Sequence, residues 1–169
     1  FLARGHRVVG CDDLSGGYAD NVPEGVEFHR VDCNDVAALK PITRGVDVVV
    51  HAAAAAYEGL SVFSPHAITQ SVVSGSAGMF AAAIAGGARR VVFCSSMARY
   101  GAHGVTFTED LVPRPQDPYG IAKLSAEVLL RNLCEVHGVE YVIAVPHNII
   151  GPRQKYDDPY RNVASIMIN

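Results

Sequence analysis

Residues 46–54 read VDVVVHAAA, an apolar run that carries one early acid and ends in three alanines. A strand with water on one face alternates polar and apolar side chains, whereas a strand packed on both faces reads as a continuous run. The run therefore predicts a strand inside a parallel sheet with helices on both sides. Residues 6–13 (HRVVGCDD) and 25–32 (GVEFHRVD) read as two earlier strands bounded by glycine turns, and 88–96 (ARRVVFCSS) and 139–151 (VEYVIAVPHNIIG) as two later ones. Helices are predicted over about 65–86, closed by Gly86 and Gly87, and over about 118–137, opened by Pro118 and stopped by Gly138. Strands alternating with helices specify an α/β fold with a doubly wound parallel sheet.

A chain of 169 residues is long enough for one domain with a real core. The net charge is −3 and the basic residues are scattered, which leaves no footprint for nucleic acid. The small-apolar run at 76–88 is too short to span a bilayer and is broken by glycines, so no membrane span is expected. Cys11, Cys33, Cys94 and Cys134 form no C-x-x-C pair and lie in apolar segments, which favours buried free thiols in a reducing cytoplasm. The histidines have no metal-ligand spacing, and no metal is expected.

Both ends read as cut. Residues 1–5 (FLARG) resemble the last turn of a helix with its glycine stop, and 162–169 (NVASIMIN) begin an amphipathic segment. In a sheet of order 3-2-1-4-5-6, the strand and glycine-rich loop expected ahead of FLARG are central. The first two strands are then expected to lack a neighbour on one side, and independent folding is in question.

Several residues carry chemistry. Asp12 closes the first strand, where an acid either accepts hydrogen bonds from adenosine ribose hydroxyls or simply starts a turn. In the first reading its charge repels a 2′-phosphate, which favours NAD over NADP. Asp32 and Cys33, at the end of the second strand, are candidates for the adenine side. His51 reads as a hydrogen-bonded structural histidine, and the alanines after it either let backbone approach a flat ligand or simply start a helix of small residues. FCSSMARYG at 93–101 places a serine at the carboxyl end of a strand, where open α/β sheets bind ligands. DPYGIAKLSAE at 117–127 then sets Tyr119 and Lys123 four residues apart on one helix face. A phenol with a pKa of about 10 is a poor base at neutral pH. A lysine one turn on, with a positive nicotinamide ring nearby, lowers it; three units correspond to about 4 kcal/mol.

Taken in order, VVGCDDLSGG, VVVHAAA, VVFCSSMARYG, DPYGIAKLSAE and PHNIIGPRQ resemble the extended short-chain dehydrogenase/reductase family, in its NAD-dependent epimerase/dehydratase branch. The resemblance implies a partial Rossmann-like NAD-binding domain over 1–151, without its first strand and glycine-rich loop, and the start of a substrate-binding region over 152–169. It implies Tyr119 as acid/base, Lys123 as ribose ligand and tuner of the tyrosine, and Ser96 as the bridge to the sugar hydroxyl. By the same resemblance Asp12 matches the ribose acid, Asp32 and Cys33 the adenine pair, and Ala52 and Ala53 cofactor-lining backbone. Cys94 and Pro146 match positions close to the cofactor, and Asn148 a substrate-phosphate contact.

The chain also departs from the pattern. Val72 stands where the family commonly has asparagine, and Ala56 where galactose 4-epimerases often have lysine. Dehydrating and decarboxylating relatives resemble one another in placing acids just after the serine; here Met97 and Ala98 follow it. The fucose-synthase-like relatives carry a cysteine there and a histidine after Gly-Pro, where this chain has Arg153. The resemblance therefore implies NAD-dependent epimerisation at C4 of a nucleotide sugar, expected to be a UDP-sugar, through a transient 4-keto sugar. An NAD-linked dehydrogenase or reductase of the same family, or a non-catalytic dinucleotide-binding fragment, is the alternative. The resemblance further implies a homodimer paired through the helices at about 65–86 and 118–137, whose small residues burial against the parent domain would also explain; the cysteine reading points to the cytoplasm.

Overall fold

The computed structural model describes residues 1–154 and Met167. The expected substrate-region segment beyond residue 154 lies, Met167 apart, outside the described residues.

Five short strands carry the fold: β1 (Val9–Asp12), β2 (Glu27–Arg30), β3 (Val48–His51), β4 (Arg90–Cys94) and β5 (Glu140–Ala144). All pairings are parallel, as the alternation with helices requires. They form two sheets, β1-β2 and β3-β4-β5, rather than one. β1 and β3 are therefore not bonded to each other. The strands end earlier than the sequence pattern suggests. β3 stops at His51, before the alanines, and β5 stops at Ala144, ahead of Pro146, which has no backbone donor for a ladder.

Helix α1 (Val36–Thr43) follows β2, and α2 (Glu58–Ser61) lies in the connection after β3. α3 (Pro65–Ile68), a π-helical stretch (Thr69–Ser74) and α4 (Gly75–Ala85) run on as one helix, and α5 (Pro118–His137) joins β4 to β5. α5 matches its sequence signals at both ends. Asp117 caps the start, its carboxylate accepting from the Gly120 N–H at 2.8 Å, and Gly138 takes the left-handed conformation that ends the helix. α1 is the element the sequence pattern does not announce. It is only eight residues long and contains Pro41, yet Asp35 caps it, and Thr43 Oγ1 donates to the Ala82 carbonyl at 2.8 Å, tying it to α4.

The core lies on one face of the three-stranded sheet. Leu39, Val49, Phe80, Val91, Phe93, Ala126 and Leu130 pack together there, with Cys11, Val31 and Cys33 against them. The double-sided burial predicted for the 46–54 run is not seen: Val49 and His51 are buried, but Val48 and Val50 are 39% and 49% exposed. Among the described residues the helices α1, α4 and α5 cover one face only. The helix Pro65–Ala85 is long and apolar enough to cross a membrane by length and composition, yet half of it is buried against the rest of the chain, as in a core helix.

His51 is buried within this core. Its Nε2 lies 3.0 Å from Ser76 Oγ, and its ring stacks on Phe93 and meets the edge of Phe80. Burial first, and then the charge of Lys123, depresses its pKa to about 4. Unfolded, the imidazole binds its proton near 6.5; folded, it resists until about 4. Stability is thus full above 6.5 and falls as the pH drops through this window, by about 2 kcal/mol at pH 5. NMR titration of the imidazole should show a neutral ring at pH 6. A midpoint above pH 6 would contradict this burial.

Candidate active site

The carboxyl ends of β4 and β5 open into a crevice of about 460 Å³, lined among others by Glu58, Ser96, Met97, Asp117, Pro146 and Asn148. A larger cleft of about 580 Å³ lies at the opposite ends of these strands. It carries no cluster of reactive groups: its Arg89 and Arg90 are paired with Asp47 and Glu140. The crevice at the carboxyl ends is the site that chemistry favours, because strand ends and helix starts converge there.

Ser96 follows β4 and caps a 3-10 turn, Met97–Arg99, its Oγ accepting from the Ala98 N–H at 3.2 Å. Tyr119 and Lys123 come from the first two turns of α5 and are 8% and 2% exposed. Tyr119 packs with Ile68, Val72 and Ala122 in a small apolar cluster under the crevice. The Ser96 hydroxyl lies close enough to the phenol to act on its pKa. Lys123 turns its ammonium to the Cys94 carbonyl at 2.8 Å and lies 5.8 Å from the Tyr119 ring centre.

The chain's own groups raise the Tyr119 phenol above its usual pKa; the lowering expected from the sequence includes the nicotinamide ring. Burial is the main cause; the Ser96 hydroxyl opposes it, and the carboxylates of Glu58 and Asp117 add to it. Lys123 does not touch the phenol. Its own pKa falls to about 8, chiefly by burial, with Cys94 and Glu127 opposing the fall. Within the chain the lysine can therefore act on the tyrosine only through its charge.

The remaining predicted residues fall in two groups. Cys94, Pro146 and Asn148 accompany Ser96 and Tyr119 at the ends of β4 and β5; Asn148 has a positive φ of 46°, and its Nδ2 lies 3.2 Å from His147 Nε2. Asp12, Asp32 and Cys33 stand at or just beyond the ends of β1 and β2, in the other sheet. Asp12 accepts from the Leu14 N–H at 2.6 Å, and Asp32 from the backbone and side chain of Asn34 at 2.8 and 2.9 Å. The Cys33 thiol is held up in pKa, first by a hydrogen bond with Cys11 and then by burial. Ala52 and Ala53 are exposed just after β3. Val72 is fully buried in the π-helical stretch. The polar tie to the loop after β3 is made one residue earlier, by Ser71 Oγ accepting from the Ala55 N–H at 2.9 Å.

Sequence reasoning missed three titratable groups here. Glu58 lines the crevice with its pKa raised by burial and by Asp117. Arg99 and Glu127 form a buried ion pair behind Ser96. For Glu127 a signal existed: it lies four residues after Lys123, on the same helix face as two buried residues.

The donor set suits a dinucleotide. An exposed acid ends β1, small residues follow β3, and a buried ammonium sits beside the crevice. The comparisons with known proteins agree. The model of the NAD dependent epimerase/dehydratase family matches residues 1–169, and the chain belongs to that family. Within it, a UDP-glucose 4-epimerase of Streptomyces lividans is 33% identical over 155 residues, covering 89% of this chain and 47% of that protein. The structure of a UDP-glucose 4-epimerase of Thermotoga maritima with UDP-glucose superposes at a TM-score of 0.92 with 29% identity, over 98% of this chain and 55% of that one. That of Thermus thermophilus in complex with NAD gives 0.88 and 32%, over 99% and 54%. The chain thus spans about half the length of the relatives it matches. The cofactor of the family is NAD.

Proposed function

We propose that this chain is the NAD-binding part of a nucleotide-sugar 4-epimerase that acts on a UDP-sugar. The observation that carries the reading is Ser96 in the crevice at the end of β4, within reach of Tyr119 on α5 and next to a turn in which Met97 and Ala98 offer no proton-transfer group. The names of the relatives, UDP-glucose 4-epimerases among them, support the uridine nucleotide.

In this reading Asp12 holds the adenosine ribose, and Asp32 and Cys33 flank the adenine. Ala52, Ala53, Cys94 and Pro146 line the way to the crevice, and Lys123 binds the second ribose. Bound NAD would supply hydride chemistry at sugar C4 and a positive ring that would lower the Tyr119 pKa. Tyr119 removes the 4-hydroxyl proton and later returns it, with Ser96 sharing the hydrogen bond. Asn148 contacts a substrate phosphate. The two proton transfers bracket a keto sugar that turns over in the crevice.

The assay is the intact protein with UDP-, GDP- and dTDP-sugars. C4 inversion of a UDP-sugar without net NADH is expected. Net NADH identifies a dehydrogenase instead. Absence of turnover, with no NAD co-purifying, contradicts the reading.

The same reading includes a homodimer through the helices at about 65–86 and 118–137 and a cytoplasmic location. Ile121, Val128 and Val136 are exposed along α5, and the four cysteines are free thiols, which supports both.

A further inference from the structure

Glu127 is fully buried on α5 and belongs to none of the groups assigned a role above. Two residues of one short segment converge on its Oε1. Ser95 Oγ donates to it from one side of Ser96, and Arg99 Nε approaches to 3.0 Å from the other. Ser95 is itself fixed to β5, its N–H donating to the Ala144 carbonyl at 2.8 Å. Arg99 is also buried; its Nη1 donates to Tyr100 Oη at 3.2 Å, and its guanidinium lies 4.7 Å from the Tyr100 ring centre. The second carboxylate oxygen, Oε2, has no hydrogen-bond partner, and half-exposed Arg131 stands 3.9 Å from it.

The topology makes this arrangement informative. Ser96 sits between the two anchored residues, while the carboxylate that anchors them stands on the helix that carries Tyr119 and Lys123. One side chain thus ties both flanks of the serine to the element that bears the tyrosine. A buried ion pair is a costly way to stabilise a fold, and an apolar replacement is commonly neutral or better. Its use for fixing a geometry is the better account here.

We propose that Glu127 is a positioning residue that sets the place of Ser96 beside Tyr119 by clamping residues 95–99 onto α5. The proposal rests on the functional reading above for its effect on turnover, but not for its effect on Tyr119 itself. The groups facing Tyr119 are Ser96, Glu58, Asp117 and, at the ring, Lys123. Those facing Glu127 are Ser95, Arg99, Arg131 and Lys123.

The test is the triple variant Ser95→Ala/Arg99→Met/Glu127→Leu in the intact protein. It removes the carboxylate and both of its arms together; Arg131 is half-exposed to water, and buried Lys123 keeps its bond to the Cys94 carbonyl but loses the support of the Glu127 charge. The expected results are a urea midpoint at or above that of the parent and a kcat lower by on the order of 10²-fold at similar KM, the effect of a misplaced reacting group. The Tyr119 titration midpoint, followed by NMR of ring-labelled tyrosine, moves up as Ser96 drifts away. Unchanged kcat with an unchanged Tyr119 midpoint overturns the proposal and leaves the network as packing. If the parent turns over no nucleotide sugar, the functional reading fails, and the Tyr119 midpoint alone decides the clamp. Should the triple variant not fold, Ser95→Ala removes one arm without a charge; it should raise the Tyr119 midpoint in the same direction, and no rise overturns the proposal.

Discussion

Tyr119→Phe lowers turnover by about 10³-fold, the worth of a positioned acid/base, while leaving NAD affinity within a few-fold. The substitution removes one oxygen and nothing else. The ring still fills the cluster with Ile68, Val72 and Ala122 beneath the crevice. Only the polar approach to Ser96 is lost, so stability should change by about 1 kcal/mol or less. Steady-state kinetics, NAD titration and urea unfolding on the same preparation separate these effects. If turnover is unaffected, Tyr119 is not the acid/base, and the proposed proton transfers fail.

Gly120→Ala is the second large effect, and its sign runs against helix propensity. In an open helix, alanine is favoured over glycine by about 1 kcal/mol. At Gly120 an added Cβ would lie 2.5 Å from the Ala98 carbonyl oxygen, 3.0 Å from its carbon and 3.1 Å from Pro115 Cβ. Backbone cannot step aside by changing rotamer, so the turn carrying Ser96 must move off α5. Overpacking of this kind costs about 2 kcal/mol. The same displacement separates Ser96 from Tyr119 and lowers kcat by on the order of 10²-fold. Gly59, where an added Cβ meets nothing within 4 Å, is the control: Gly59→Ala should keep or raise the urea midpoint. A gain in stability at Gly120 would contradict the packing of the turn against α5.

Much of this is legible in the sequence. The helix from Pro118 to Gly138 carries its own start and stop, and the apolar runs mark every strand, because backbone chemistry and burial act locally there. What was not legible depends on contacts between distant segments. α1 is held by Asp35 and by Thr43 reaching α4, which outweigh Pro41 in a short helix. The exposed face of β3 reflects which elements lie over it, and a run of valines cannot report that. In the site, Ser96, Tyr119 and Lys123 could be listed from their spacing and their strand ends. The rise in the Tyr119 pKa could not, because it follows chiefly from burial, with Glu58 reaching it from a distant segment and Asp117 adding to it from two residues away. Arg99 and Glu127 escaped for the same reason: each looks like a surface charge until β4 and α5 are brought together.

The most direct test of the proposed chemistry follows a deuterium at C4 of UDP-glucose through turnover by the intact protein. The account predicts UDP-galactose that keeps the label at C4, with no net NADH, because the bond broken at that carbon is remade there within one site. UDP-galactose lacking the label, or a keto product accumulating with stoichiometric NADH, would contradict it.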